Sequence, residues 1–380
     1  MRRGAADPES FVGGFFQYAG FLVCQLICTV VWLLTRNTGC ETALFNEFKW
    51  FPNGLKWPLI KLVVPVALFD AGDKWFTFFG IKNAGSGLYI VVFASLTIWT
   101  ALIRRFVFGQ KLETIRWVAV LVITAGLAVD AVSVAMDEPT LKGGIDMTLV
   151  FGMLAAIVAA VFDAFMYTFA EHAMSVKDVD GLGQKINPSE SDLCWLMGMI
   201  DLPIVLVYIV AYVVLGGHWD SLVVDEIKDA GKCDTSSLDG SASGSFDSDE
   251  TYKTEGECHH IGGTWEPAGG TMLSAGLLWM VQGAALWLHY ITFFYCVSRG
   301  SSVSGAVNKA LQSASIFFLS WAVYCPPAVI GHLASEKNCL DTPRIVCALI
   351  VFLGVLLYGI GPKLFPDSEK SALKAGLIQA

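Results

Sequence analysis

The chain of 380 residues is 54% hydrophobic and 16% charged, with a mean hydropathy of +0.58, which excludes a single water-soluble domain of ordinary composition. A net charge of -9, with many carboxylates in 217–270 and near helix ends, and the lack of any basic or aromatic-interleaved tract exclude a nucleic-acid binder. Ten cysteines without a repeated CxxC pair exclude a zinc module or a small disulfide scaffold.

Met1-Arg2-Arg3 leads into an apolar stretch too long for a signal-peptide core and without a small-residue cleavage site, so it is expected to be a retained span; the residues before it do not form a Ser/Arg-rich leader, and loss of one by truncation stays open. A helix needs about 20 mostly apolar residues to cross the hydrocarbon, because its backbone must satisfy itself there. Nine segments qualify, near 11–35, 57–80, 84–107, 113–135, 143–172, 192–216, 271–298, 301–325 and 343–363. Basic residues gather in one set of connections, at Arg36, Lys49 and Lys56, at Arg104, Arg105, Lys111 and Arg116, at Lys177 and Lys185, at Arg299, and at Lys363, Lys370 and Lys374. That side is expected to be cytosolic. The opposite connections, with Lys82, Lys142, Lys337 and the acidic loop 217–270, are then luminal or external.

Two stretches resemble each other. Ser86-Gly87 opens a small-residue helix followed by Arg116-Trp117-Val118 and a helix with Gly126; Ser304-Gly305 opens another followed by Arg344-Ile345-Val346 and a helix with Gly354. The first pair starts on the luminal side and the second on the cytosolic side, the pattern of an inverted repeat with a site near the midplane. The expected architecture is an all-α membrane protein, nine transmembrane helices of a ten-helix (5+5) inverted-repeat transporter fold. A first repeat at 1–135 lacks its first helix, through truncation or as a nine-helix variant. A second at 136–366 carries the long luminal loop 217–270, and 367–380 forms a cytosolic tail.

The stretches 84–126 and 299–359 resemble the drug/metabolite transporter superfamily, in particular its nucleotide-sugar and triose-phosphate branch. Gly305-Ala306-Val307-Asn308-Lys309 is similar to the Gly-Ala-Leu-Asn-Lys motif of GDP-mannose transporters, with Val307 in place of leucine. The resemblance implies antiport of a nucleotide sugar against a nucleoside monophosphate across an endomembrane, commonly the Golgi. A triose-phosphate/phosphate exchanger stays open as an alternative. So does an exporter of cationic or peptide-like solutes, because the position of the cysteine-containing loop also resembles relatives of the chloroquine-resistance transporter.

Lys309 lies about eight residues, or roughly 12 Å, into an apolar helix. An ammonium at that depth needs a partner, and a phosphate supplies one. The alternative is permanent pairing with Asp163 or Asp201. Gly305, Lys309 and Gln312 share a face, Ser304, Asn308, Gln312 and Ser315 form an overlapping polar stripe, and the helix N-terminus at Ser301-Ser302 adds partial positive charge. Aligning Ser304 with Ser86 puts Val91 opposite Lys309 and Ile90 opposite Asn308, which argues against a purely architectural lysine.

Asp70, Asp73 and Lys74 fall within one span, and Asp70 and Lys74 at i,i+4 pair with each other or gate the pathway. Asp130 is expected to be solvated, whereas Asp163 and Asp201 are deep enough to be counter-ions, proton sites or lining groups. Gln282 and His289, on one side of a helix with Trp279 and beside Tyr290, suit stacking and hydrogen bonding to a base, or form an interfacial aromatic set. In the long loop, Ser236–Asp249 is of low complexity and Cys233–Cys258 is a candidate luminal disulfide in preference to a metal cluster, while Cys325–Cys339, at the two ends of the next luminal loop, is a second candidate pair. No allowed Asn-x-Ser/Thr sequon and no P-loop, nucleophile elbow or HExxH motif occurs, so neither catalysis nor a cofactor is expected. The expected partners are the lipid bilayer and a phosphorylated small solute, and a homodimer stays open.

Overall fold

The computed structural model describes residues 12–35, 57–137, 147–175, 188–216, 231–234, 264–267, 272–324 and 342–364. Cys258, Cys325, Cys339, the tail 367–380 and most of the loop 217–270 lie outside them, as do the side chains of Ser86, Ile90, Val91, Asp130 and Cys233.

Among the described residues the helices are α1 (Val12–Thr35), α2 (Trp57–Phe93), α3 (Leu96–Phe106), α4 (Thr114–Asp137), α5 (Met147–Ser175), α6 (Glu190–Val210, continued by a π-helical turn Ala211–Leu215), α7 (Met272–Arg299), α8 (Ser302–Tyr324) and α9 (Thr342–Leu364). Four are long and apolar enough to cross a bilayer, over Gly13–Val31, Met147–Ser175, Glu190–Val213 and Leu277–Arg299, and shorter apolar helices occur at Thr114–Val129 and Ile345–Ile360. Beside the helices, the described residues include one short two-stranded ribbon. Strands β1 (Gly231–Asp234) and β2 (Thr264–Pro267) pair antiparallel, with Cys233 opposite Trp265, and so tie the two ends of the long loop together. Short β-prone runs next to glycine can pair wherever the chain leaves the hydrocarbon.

The chain divides into two compact units, Met1–Phe48 with Gly198–His289, and Lys49–Met197 with Tyr290–Ala380. In the first, α1 and α7 meet at glycines. A Cβ added to Gly20 would come 2.7 Å from the Gly283 Cα, too close for any side chain, so small residues set the approach. Phe16 stacks on Trp279 beside them, with ring centroids 5.4 Å apart.

In the second unit α2 packs along α5, and a core of small and branched residues, among them Ala119, Ile123, Val307, Ala310 and Val351, joins α3, α4, α8 and α9. Two spans were expected where α2 is helical over all 37 residues. A straight helix of that length would reach roughly 55 Å and hold residues 77 and 89 about 18 Å apart along its axis. Instead Thr77 Oγ1 lies 2.6 Å from the Tyr89 hydroxyl. The helix therefore doubles back between them, and α3 continues the returning leg after a turn at Ala94–Ser95. Gly80 permits this: a Cβ there would sit 2.8 Å from the Tyr89 ring.

Helices α4 and α9, which carry the matching Arg-x-Val…Gly stretches, pack face to face through reciprocal contacts. A Cβ on Gly126 would come 3.2 Å from Val351 Cγ2, and one on Gly354 would come 2.6 Å from Ile123 Cγ1. Position 126 matches 354 and 351 matches 123 in the sequence repeat, so each contact is the counterpart of the other.

Candidate functional site

The bent helix α2 places Asp70, Asp73, Lys74 and Thr77 on one face by i,i+3 and i,i+4 spacing. Lys74 Nζ donates to Asp73 Oδ2 at 2.5 Å and stands 3.4 Å from Asp70 Oδ1. Thr77 Oγ1 donates to Asp73 Oδ1 at 3.1 Å, which leaves its own oxygen to take the Tyr89 hydroxyl proton. From α7, the Tyr290 hydroxyl donates to Asp70 Oδ1 at 2.7 Å, and the Lys74 ammonium lies 5.8 Å from the centre of its ring. Asp70 and Asp73 are wholly buried. Carboxylates removed from water are tolerated when paired and hydrogen-bonded in this way. The i,i+4 pairing of Asp70 with Lys74 is thus present, and Asp73 is the closer partner.

Two further charges face this group. Asp163, on α5, is 4% exposed, and Lys309, on α8, is half-buried. Lys309 is within electrostatic reach of Asp163, Lys74 and Asp73, and Asp163 within reach of all four other charges. Lys309 is accordingly no lone cation: three carboxylates and two ammonium groups from α2, α5 and α8 form one electrostatic cluster. Tyr167, one turn beyond Asp163, is buried with its ring centre 4.1 Å from that of Phe293.

Along α8, Asn308, Gln312 and Ser315 are exposed, Ser304 is half-buried, and Gly305 is buried where a Cβ would strike the Phe293 ring at 2.5 Å. Gly305 therefore serves helix packing.

The expected role of the α8 N-terminus is corrected by Glu171. Its Oε2 accepts from the Ser302 amide at 2.8 Å and from Ser302 Oγ at 2.5 Å, while Oε1 pairs with Arg104 at 3.1 Å. A carboxylate of the chain thus complements that helix end. Arg104 also donates through Nε to Gln110 at 2.6 Å.

In the other unit, Gln282 is exposed, His289 half-buried and Asp201 wholly buried, and the Trp279 face is taken by Phe16. Tyr290 turns to Asp70 instead of presenting a stacking surface. The candidate disulfides rest on side chains outside the described residues. Sequence reasoning missed Thr77, Tyr89 and Glu171. Thr77 was within reach, four residues after Asp73, whereas Tyr89 depends on the bend and Glu171 on a contact 131 residues away in sequence.

No curated protein matches the chain. A solved structure titled only as the crystal structure of a protein aligns with 94% of this chain and 89% of its own at 14% identity, with a TM-score of 0.48. The family model described as Nucleotide-sugar transporter matches residues 15–179, the stretch that holds Asp70, Asp73, Lys74 and Asp163. That match supports the nucleotide-sugar transporter branch of the drug/metabolite transporter superfamily, a family of transporters and not of enzymes.

Proposed function

We infer that the protein exchanges a nucleotide sugar for a nucleoside monophosphate across an endomembrane, the Golgi first among them, by alternating access. The observation that carries this reading is the placing of Lys309 and Lys74 against one cluster, with the exposed Asn308 and Gln312 beside Lys309. The Lys309 ammonium supplies charge for a phosphate, Lys74 being held by Asp70 and Asp73, and the neighbouring amides supply further hydrogen bonds. Lys309, Asn308, Gln312, Ser304 and Asp163 form the proposed phosphate-binding group, with Asp70 and Lys74 proposed for gating or ion pairing in the same unit. Gln282 and His289, proposed for the base or sugar, and Asp201, proposed for gating or ion pairing, belong to the other unit and are proposed on their own.

The reciprocal α4–α9 contacts at Gly126 and Gly354 support nine spans arranged as an inverted repeat, divided near residue 135, whose halves rock about a central site. The positive-inside distribution supports a cytosolic side carrying Arg104 and Arg299. The three carboxylates favour a second reading, a cationic solute of the kind moved by chloroquine-resistance-type exporters.

Purified protein in proteoliposomes tests the choice. Uptake of labelled nucleotide sugar stimulated by preloaded nucleoside monophosphate is the expected result. Stimulation by amines or peptides alone would select the second reading. Equal uptake with and without internal nucleotide would remove the exchanger altogether.

A further inference from the structure

Where α3 and α5 end and α8 begins, two groups of contacts are built separately. In the first, Gly109 turns the chain after α3 with a φ of 65°. The Gln110 amide donates back to the Arg104 carbonyl at 3.1 Å, and Arg104 Nε donates to Gln110 Oε1 at 2.6 Å. Arg104 also stands in the last turn of α3, where a positive charge is favoured. In the second group, Glu171 near the end of α5 accepts from the amide and hydroxyl of Ser302, the first residue of α8, where a negative charge is favoured. The two groups meet through Arg104 and Glu171, 3.1 Å apart, and through the Phe108 ring, whose centre lies 5.4 Å from that of Phe169 and 5.3 Å from that of His172.

We propose that this meeting of Arg104 and Phe108 with Glu171, Phe169 and His172 is the cytosolic gate of the transporter, closed in this structure and parted whenever Lys309 opens to the cytosol. The proposal rests on the inverted-repeat reading and its orientation given above, which put α3 in the first repeat, α5 and α8 in the second, and all three of these ends on the cytosolic side. Ser302 precedes Lys309 by seven residues on α8, so the contact lies roughly 10 Å nearer the cytosol than the proposed phosphate-binding group. A solute entering from that side passes this level before it meets Lys309, and rocking of the repeats has to separate α3 from α5 and α8 there.

The energetics suit a contact that is made and broken in every cycle. Arg104 and Glu171 keep 18% and 15% of their side-chain surface exposed, so water reaches both as they separate. Each also keeps a partner afterwards: Arg104 has Gln110 and its helix end, and Glu171 has Ser302 and the start of α8. Neither becomes the uncompensated buried charge that makes breaking a sealed ion pair so costly. Lys74, in contrast, is held between two wholly buried carboxylates, and drawing it away would leave both short of their counter-charge. That group is built to stay together, whereas the Arg104–Glu171 pair is built to switch.

The test uses the full chain in lipid nanodiscs, with spin labels carried by unnatural amino acids at the exposed positions Arg105 and Ser175, one on each side of the contact. Pulsed electron resonance then gives the populations of short and long separations. Arg104→Gln should raise the ratio of long to short about fivefold, the factor for a partly solvated ion pair at the upper end of its range. Arg104→Lys, which keeps a charge within reach of Glu171, should restore most of the short population. Salt at about 1 M, where the Debye length falls to about 3 Å, should move the wild type in the same direction as Arg104→Gln. A distribution unchanged by high salt or by Arg104→Gln would show a fixed brace and overturn the proposal. Should Arg104→Gln fail to fold, the salt series on the wild type still decides. In proteoliposomes Arg104→Gln should lower the half-saturating nucleotide sugar at the cytosolic side relative to the luminal side by the same factor, because apparent affinity follows the fraction of protein open to that side. An equal change on both sides would contradict the gate. Absence of any wild-type nucleotide-sugar flux would remove the exchanger, while the distance measurement, which needs no solute, would still judge the gate.

Discussion

Replacing Glu171 by alanine removes three contacts at once, two acceptances from Ser302 and the pair with Arg104, and so tests how the N-terminus of α8 is held. Losing a helix cap costs about 0.5–2 kcal/mol. Breaking a fully buried ion pair costs about 3–5 kcal/mol, but Arg104 and Glu171 keep 18% and 15% of their side-chain surface exposed, and Gln110 continues to hold the guanidinium. Together these effects give an expected loss of about 2–4 kcal/mol, set by the cap and a partly solvated pair. Reversible unfolding of the purified protein in detergent measures it, with Arg104→Met and the double variant completing a cycle. The account expects a coupling of at least about 1 kcal/mol between the two positions. A Glu171→Ala protein within about 0.5 kcal/mol of wild type, the range of an ordinary surface substitution, would show that this carboxylate neither caps α8 nor anchors Arg104.

Tyr290→Phe leaves Asp70 without its 2.7 Å donor, and unfolding should register a loss of about 1–3 kcal/mol, the cost of a buried acceptor deprived of its partner. Gly20→Leu forces a side chain against the Gly283 backbone, so the melting temperature should fall by an amount matching at least the about 1–3 kcal/mol of an overpacked core, with Gly20→Ala intermediate. Because Gly126 and Gly354 occupy matching places, Gly126→Val and Gly354→Val should destabilise to within about 1 kcal/mol of each other in the same unfolding assay. Lys74→Met strips Asp70 and Asp73 of their shared ammonium and should destabilise more than Lys74→Arg, a ranking that thermal unfolding reads directly.

Helix placement was legible because the bilayer requires long apolar runs, and that requirement is written residue by residue. The pairing of Asp70 with Lys74 was legible for a similar reason, since i,i+4 spacing alone brings them together. The reversal inside α2 was visible only as two spans with Lys82 and glycines between them; nothing in the sequence says that helical backbone persists through the bend until Thr77 meets Tyr89. The mistaken role of the α8 N-terminus has a different origin. Ser301-Ser302 marks a helix start, but whether a substrate or an internal carboxylate meets it depends on Glu171, far away in the chain. Tyr290 was grouped with Gln282 and His289 by adjacency, yet consecutive residues on a helix point about 100° apart, and Tyr290 follows its own direction to Asp70. The β1–β2 ladder was missed because four-residue strands carry too little pattern to separate from loop.

Side-by-side exchange by wild type and Lys309→Gln in proteoliposomes, with equal amounts of folded protein, tests the central claim most directly. Deleting an ammonium that meets phosphate should lower nucleotide-sugar exchange roughly 10- to 100-fold, the factor for one charge-assisted hydrogen bond. Undiminished exchange by the glutamine variant would mean that the cargo is held by other groups.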